Sequence, residues 1–298
     1  MPTRNDESTL RVVPTGGALA ADVWGVDIEN LSDSQFERIR QAWTEHDGVL
    51  RIPGQFVEVE SMIAFAARFG ELDVAPISAN GPRARPDLPH LTTISNIIEN
   101  GRALGGLGHY ESKWHTDMSY NDIPPMASVL HAVELPKVGG DTGYCNMYKA
   151  YETLPDDLKQ QIQNLSCKHD SSRSSVGQVR KGFAEQYPNR DEAPGAVHPL
   201  VCVHPETARP CLYLGRRSMA FIPDLEPAQS DLLLDQLWAH AAQDEFCWYQ
   251  RWRLGDIVIW DNRCTMHRRD GLDPNDRRLL NRTQVKGAQP IAIGAIAA

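Results

Sequence analysis

Two short segments that lie far apart in the chain constrain the fold most. Residues 114–117 read Trp-His-Thr-Asp, and the stretch 260–267 ends in His267. On an extended strand alternate side chains share a face, so His115 and Asp117 can point the same way. A fold that carries His267 to the same place would gather two imidazoles and one carboxylate around a single point.

This set of side chains matches the ligand preference of one metal ion. Two neutral nitrogens and one carboxylate oxygen on one face of an octahedron suit ferrous iron, and they leave three positions for a chelating cosubstrate and dioxygen. The alternative is that each residue is ordinary, because an isolated histidine is more often a core or surface residue than a ligand. With 10 histidines in the chain, the triplet alone decides nothing. The metal interpretation gains weight because the residues around both segments also fit it.

Length and composition limit the classes of protein to consider. The chain has 298 residues, of which 41% are hydrophobic and 23% charged, so we expect one domain spanning 1–298 with one large core. A formal charge of −9 argues against a nucleic-acid partner, since phosphate binding needs a basic face. No apolar run approaches the length of a membrane span, and the polar start lacks the core of a secretory signal.

The six cysteines form no Cys-x-x-Cys pair and lie mostly in apolar, strand-like runs. Buried thiols therefore explain them better than disulfides or a zinc site. We expect a cytoplasmic protein with no membrane partner.

The hydrophobic pattern predicts many short strands with helices outside them. Helices are expected after a capping box at Ser32 up to Gly48, before Gly70, and over 155–165 and 227–241. Strands are expected at 91–96, 128–135, 201–203, 212–214, 247–252, 257–260 and 280–285. Short strands separated by turns favour a mostly β fold with surrounding helices and a double-stranded β-helix, or jelly-roll, core. Such a core would bring His267 opposite His115.

Two polar stretches are expected to act as lids over the site. The first, 97–112, contains a glycine cluster that matches no nucleotide-binding fingerprint and has no helix signal after it. The second, 168–196, has no clear periodicity, and long loops in compact domains are usually functional or mobile. Its Arg173 and Arg180 could bind anions, although solvated surface charge explains them better.

Several motifs in a fixed order indicate a family. These are Phe-Gly-Glu-Leu at 69–72, Trp-His-Thr-Asp at 114–117, Gly-Gly-Asp-Thr at 139–142, His-Pro at 204–205, Trp-Asp-Asn-Arg at 260–263, and His267 followed by Arg-Arg at 277–278. In these motifs the chain resembles the TauD/TfdA family of iron(II)- and 2-oxoglutarate-dependent dioxygenases over nearly all its length. It is similar in particular to the TfdA-like aryloxyalkanoate branch.

The resemblance implies roles for single residues. His115, Asp117 and His267 would ligate iron(II), while Thr142 and Arg278 would bind 2-oxoglutarate. A guanidinium suits that role because it stays charged and can hold a carboxylate through two bonds, whereas the alternative for Arg278 is a surface ion pair.

Spacing along the last strand bears on the neighbouring arginines. Arg282 follows Arg278 by four residues, so both should share a strand face, and Arg277 should point the other way. The resemblance implies that Arg282 contacts the acid group of the substrate. The alternative is a salt bridge at the rim of the barrel.

The implied reaction uses iron(II), 2-oxoglutarate and dioxygen. It would hydroxylate an unactivated C–H bond of a small or aromatic organic acid and release succinate and carbon dioxide. Because Asp117 leaves no gap among the protein ligands for chloride, hydroxylation is favoured over halogenation, whereas desaturation stays open. The resemblance also implies a homodimer or homotetramer.

Other functions stay open at this level. Asp73 and Ala75 stand where taurine enzymes carry a sulfonate-binding histidine and phenoxyacetate enzymes a lysine, which puts both of those substrates in doubt. The alternatives are a taurine- or alkylsulfonate-type enzyme and a natural-product tailoring oxygenase that acts on an amino acid or another acid. A zinc hydrolase could use the same three ligands, and a silent barrel could merely bind an acid. Zinc hydrolysis gives no role to Thr142 and Arg278, and a silent binder would be expected to have lost a metal ligand.

Overall fold

The computed structural model describes residues 9–75, 85–180, 182–183, 187, 190–217 and 220–296. The helices of this part of the chain are Asp33–Glu45 (α1), Val59–Ala67 (α2), Met147–Glu152 (α3), Asp156–Ile162 (α4) and Pro227–Ala241 (α5), with short 3-10 turns at Ile28–Asn30, Arg190–Glu192, Asp244–Phe246 and Ile293–Ile296. Its strands are Arg11–Pro14 (β1), Ala21–Trp24 (β2), Val49–Ile52 (β3), Thr92–Ser95 (β4), Ile98–Glu99 (β5), Arg102–Ala103 (β6), Gly106–Leu107 (β7), Ser112–His115 (β8), Ala127–Glu134 (β9), Thr142–Asn146 (β10), Ser166–Lys168 (β11), Val197–Pro199 (β12), Val201–Val203 (β13), Pro210–Leu212 (β14), Cys247–Gln250 (β15), Ile257–Asp261 (β16), Thr265–Arg269 (β17) and Leu279–Val285 (β18).

The start of α1 shows how the sequence sets an element. The hydroxyl of Ser32 accepts from the backbone N–H of Gln35 at 3.2 Å, and the Gln35 side chain accepts from the N–H of Ser32 at 3.1 Å. This reciprocal pair satisfies two backbone donors that the first turn leaves free. Ile39 and Trp43 then fall on the buried face, which confirms the predicted capping box and helix.

Two sheets form the body of the protein. The major sheet has the order β1-β2-β3-β16-β9-β18-β4-β7, and the minor sheet has the order β15-β10-β17-β8. Most of the strand pairs in the described residues are antiparallel, and only β2 with β3 and β4 with β7 run parallel there. The strand-rich, two-sheet architecture confirms the predicted jelly-roll core.

Alternation along the strands separates an inner layer from an outer one. Leu130 and Trp260 of the major sheet share a buried cluster with Tyr144 of the minor sheet, so these side chains fill the space between the sheets. Val129 and Ile259 point the other way and pack against α1 and α2. Helices α3 to α5 cover the outer face of the minor sheet, and the space between the sheets is left to hold a site.

The two predicted lids have different structures. Residues 97–112 contain the β5–β6 hairpin and the short strand β7, which pairs with β4. Of the stretch 168–196, residues 181, 184–186 and 188–189 lie outside the described part of the chain. Motion of either segment remains a prediction.

Two expectations from composition can be compared with the structure. All six cysteines are free and buried, as expected for packed thiols rather than disulfides. Among the described helices, none combines the length and the apolar character that crossing a bilayer requires.

Candidate active site

The three predicted metal ligands meet between the two sheets. His115 at the end of β8 is the cross-strand partner of His267 in β17, and the two ring centroids lie 4.1 Å apart. Oδ1 of Asp117 lies 3.8 Å from Nε2 of His115 and 3.9 Å from Nε2 of His267. All three side chains are buried, and their possible ligand atoms lie within 4.8 Å of one another. Such a set can close on one face of a metal ion.

Hydrogen bonds set the orientation of both imidazoles. Nδ1 of His115 lies 2.7 Å from the backbone carbonyl of Lys113, which accepts its proton and leaves Nε2 free for a metal. Burial lowers the pKa of His115 well below its usual range, and burial lowers the pKa of His267 to about 4. Both rings are therefore neutral near pH 7, as metal ligation requires.

Asp117 is held as an ionised carboxylate by three side chains of the major sheet. Nη1 of Arg282 donates to both of its oxygens at 3.1 Å. Ser128 donates to Oδ2 at 3.0 Å and Gln284 at 3.2 Å. Burial alone would raise the pKa of Asp117, but the charge of Arg282 and the Ser128 hydrogen bond hold it well below its usual range. The ligand charge and its orientation are thus fixed before a metal binds.

A second buried group lies at the start of β18. Arg278 donates through Nη2 to the carbonyl of Gly140 at 3.1 Å, whereas its Nε and Nη1 are buried without a hydrogen-bond partner in the described structure. Burial, and then the charge of Arg269, lowers the pKa of Arg278 to about 9. A buried cation with two unused donors is costly unless an anion joins it, and a carboxylate of 2-oxoglutarate fits these donors.

Two side chains of β10 share the inner face with this arginine. Thr142 accepts from the indole N–H of Trp252 at 3.0 Å, and its own hydroxyl proton remains available. Tyr144 is fully buried, and its hydroxyl has no hydrogen-bond partner in the described structure. The sequence singled out Thr142 as a candidate and did not single out Tyr144, although the period of two along β10 places both on one face.

The two neighbours of Arg278 in sequence show the two sides of β18. Arg277 is exposed and pairs with Glu134 at 2.6 Å and with Glu99 at 3.0 Å, as alternation predicts. Arg282 faces inward with Arg278, but its guanidinium is bonded to Asp117. Contact between Arg282 and a substrate therefore remains a proposal.

A second cluster of potential metal ligands is structural. His204, Asp261 and Cys264 lie close together and buried. Nδ1 of His204 accepts two backbone N–H groups at 3.2 Å, so its Nε2 carries the proton that is donated to Asp261 at 3.0 Å. Arg263 donates to both oxygens of the same carboxylate. These atoms are already used, and the cluster ties the β16–β17 turn to the residues after β13.

Fold and site together define a metal-dependent oxygenase with a pocket for an acidic cosubstrate, and comparison with known proteins agrees. The chain matches the family model described as taurine catabolism dioxygenase TauD, TfdA family, over residues 11–284. It is 34% identical to the (S)-phenoxypropionate/alpha-ketoglutarate-dioxygenase of Sphingobium herbicidovorans, over 93% of this chain and 94% of that one. It is 33% identical to the alpha-ketoglutarate-dependent 2,4-dichlorophenoxyacetate dioxygenase of Cupriavidus pinatubonensis, over 90% and 95%.

Solved structures give the same result. The structure of AAD-2 in complex with Mn(II) and N-oxalylglycine aligns with a TM-score of 0.76 at 30% identity, over 95% of this chain and 99% of that one. The chain therefore belongs to the TauD/TfdA family and is an iron(II)- and 2-oxoglutarate-dependent dioxygenase, an oxidoreductase that uses dioxygen. Its similarity to the enzymes named for phenoxypropionate and 2,4-dichlorophenoxyacetate confirms the expected branch.

Proposed function

We propose that this protein hydroxylates an unactivated C–H bond of a small or aromatic organic acid. The observation that carries the proposal is the pairing of a buried His-Asp-His set with Arg278, whose two free donors need a carboxylate. The relatives named above act, by their names, on aryloxyalkanoic acids. A zinc hydrolase would have no use for this second carboxylate site, and a silent acid-binding barrel would have no need of the complete His-Asp-His set.

The site residues fall into two groups with separate roles. His115, Asp117 and His267 would hold the metal, and Arg278, Thr142 and Tyr144 would grip the far carboxylate of 2-oxoglutarate. Ferrous iron and 2-oxoglutarate, when bound, supply an oxidant strong enough for a C–H bond, with succinate and carbon dioxide as by-products.

The protein's own contribution is position and environment. The apolar wall formed by Trp260 and Tyr144 beside His267 limits water near the metal ligands. The bonds from the major sheet to Asp117 keep the carboxylate in one orientation. A fixed, water-poor site allows one target carbon to be presented and competing reactions to be suppressed.

The test begins without oxygen. Protein loaded with iron(II) and 2-oxoglutarate should show the visible charge-transfer band of the chelate, and addition of oxygen with a panel of aryloxyalkanoic and simple carboxylic acids should release succinate. The hydroxylated product is then identified by mass spectrometry. No band, together with no succinate from any acid, would overturn the proposal.

Arg278 offers a matched pair of variants. Arg278→Gln should weaken 2-oxoglutarate binding roughly a hundredfold, because a buried charge-assisted contact is lost. Arg277→Gln should leave the affinity unchanged, since Arg277 lies outside and pairs with Glu134 and Glu99. Equal affinities in titrations of the two variants would remove Arg278 from the cosubstrate site.

A further inference from the structure

A row of cross-strand partners crosses the minor sheet and ends at an arginine. Tyr144 in β10 lies opposite His267 in β17, and His267 lies opposite His115 in β8. His115 in turn forms an isolated antiparallel bridge with Arg216. Directly opposite residues of antiparallel strands project to the same face. Arg216 therefore emerges on the face of the sheet that carries the metal ligands, next to His115.

The backbone around Arg216 is fixed, so this placement is specific. The N–H of Thr116 donates to the carbonyl of Gly215 at 3.0 Å, which anchors the bridge between the metal-binding segment and Arg216. Gly215 has φ +66°, and a Cβ on it would lie 1.7 Å from Nδ1 of buried His169. Only glycine fits there, and it directs the next residue toward the site.

The charge of Arg216 has no matching carboxylate among the described residues. Its Nη1 donates to the backbone carbonyl of Arg173 at 2.6 Å, and its Nε is buried without a partner. Its guanidinium carbon lies 4.9 Å from the ring centroid of Tyr120. Arg180 approaches the same ring at 4.9 Å and donates to the carbonyl of Ser171 at 3.1 Å. Two cations thus share one aromatic ring, an arrangement that favours an added anion.

Three other arginines near the site are already engaged, and one of them, Arg269 of β17, donates to the carbonyl of Tyr110. Arg282 is bonded to Asp117, and Arg278 is the cosubstrate residue of the proposed function. Arg216 adjoins the centre directly, because it forms an isolated antiparallel bridge with His115. Arg216 is thus a cation near the metal ligands. Asp117 pairs with Arg282 and the cosubstrate is assigned to Arg278, so neither balances the charge of Arg216.

A cavity reaches the bridge between His115 and Arg216. A cavity of about 300 Å³ lies at the β8 edge of the minor sheet, and both His115 and Arg216 form part of its wall. Trp114 and Trp238, which pack in the cluster on the outer face of the sheet, form another part, so the cavity extends from that face to Arg216. The volume is at the lower end of the range for small-molecule sites. Two other arginines of the wall, Arg217 and Arg268, are each paired with acidic side chains. Arg216 has no such partner in the described structure.

We infer that Arg216, supported by Tyr120 and Arg180, holds the anionic group of the primary substrate beside the metal ligands. The inference rests on the proposed function and deepens it, because it assigns the substrate's acid group to a residue outside β18. The shared chemistry is an oxyanion that accepts from a planar guanidinium, which a carboxylate and a sulfate ester both provide.

The experiment measures binding rather than turnover. Protein saturated with Mn(II) and N-oxalylglycine is titrated in a calorimeter with 2-phenoxypropionate and with hexyl sulfate, and each is compared with a neutral analogue, 2-phenoxypropionamide and hexanol. Wild-type protein should bind at least one anion and discriminate against its neutral analogue. Arg216→Gln should weaken that anion's binding ten- to hundredfold, as expected for loss of a charge-assisted contact, and Arg216→Lys should restore part of it.

The matched control is Arg209→Gln. Arg209 also stacks on a tyrosine, with its guanidinium carbon 4.0 Å from the Tyr148 ring centroid, but it pairs with Asp47 at 2.6 Å and Glu152 at 2.9 Å far from the site. This variant should bind the anion as wild type does. Whichever probe binds more tightly identifies carboxylate or sulfate as the preferred group.

The outcomes separate the two proposals. Failure of wild-type protein to bind Mn(II) and N-oxalylglycine would overturn the proposed function. Normal Mn(II) and N-oxalylglycine binding in every variant, with equal anion affinity in Arg216→Gln and wild type, would overturn the Arg216 assignment alone. Wild-type protein that holds N-oxalylglycine but binds no anionic probe, or binds acid and neutral analogue equally, would overturn it as well.

Discussion

At Asp117, two opposing electrostatic effects act on one carboxylate. Burial disfavours the charged form, whereas Arg282 and the Ser128 hydroxyl favour it, and the second effect dominates. Partners of metal-ligating groups typically change metal affinity by about 10- to 100-fold, because they fix the orientation and charge of the ligand. At the residue scale, the centre therefore depends on the major sheet even though both histidines belong to the minor sheet.

Tyr144 gives a prediction about a single hydroxyl. Burial raises the pKa of Tyr144 well above its usual range, so the group stays protonated and can donate. We expect Tyr144→Phe to bind N-oxalylglycine about tenfold more weakly in the presence of Mn(II), because one buried hydrogen bond to a charged acceptor is lost. Calorimetry checks the affinity.

The control for Tyr144→Phe is Tyr249→Phe on β15, whose side chain lies on the outer face near Gly143. It should leave the affinity for N-oxalylglycine unchanged. If Tyr144→Phe also binds like wild type, the hydroxyl does not contact the cosubstrate.

At the scale of elements, the sequence predicted features that depend on a local residue pattern. It did not predict features that depend on which strands pair. The capping box of α1, the leucine-rich α5 and the inward position of Arg278 follow from periods of 3.6 and 2 along the chain. The ion pair between Arg282 and Asp117 does not follow from such a period, because Asp117 lies on another segment of the chain. The face of Arg216 depends likewise on a bridge to β8 that no local pattern records.

Gly215 gives a prediction about the segment that carries Arg216. Gly54 and Gly215 have similar positive φ angles, +69° and +66°, but a Cβ would meet open space at Gly54 and His169 at Gly215. Gly54→Ala should therefore cost only the left-handed strain, about 1 to 2 kcal/mol. Gly215→Ala should cost more than about 3 kcal/mol, since a buried clash is added to the strain.

Urea unfolding monitored by circular dichroism measures both changes. Equal losses of stability in the two alanine variants would mean that the Gly215 segment can move away from His169. The bridge would then be too loose to fix Arg216.

At the scale of the whole molecule, the site joins the two sheets. His115 and His267 come from the minor sheet, whereas Ser128, Arg282 and Gln284 hold Asp117 from the major sheet. A metal bound to all three ligands would therefore link both layers. Stability and catalysis share the same buried polar groups, so protonation of these interior groups bears on the fold as a whole.

His169 provides a test of that coupling away from the metal ligands. It is fully buried, neither ring nitrogen has a hydrogen-bond partner in the described structure, and the rings of His198 and Tyr213 lie 5.3 and 5.7 Å away. Burial, with the charges of His198 and Arg216, lowers its pKa from 6.5 to about 3. The unfolded chain therefore takes up this proton first as the pH falls, and the stability present above pH 6.5 is lost progressively toward pH 3.

Between pH 7 and pH 5, wild type should lose about 2 kcal/mol more stability than His169→Leu, because only wild type carries this titration. Urea unfolding at several pH values measures the difference. Tyr213→Phe, which alters the neighbouring ring without titrating in this range, should keep the wild-type pH dependence. If His169→Leu shows the same acid sensitivity as wild type, the proton enters the folded interior at little cost. Acid instability would then have to come from other buried groups.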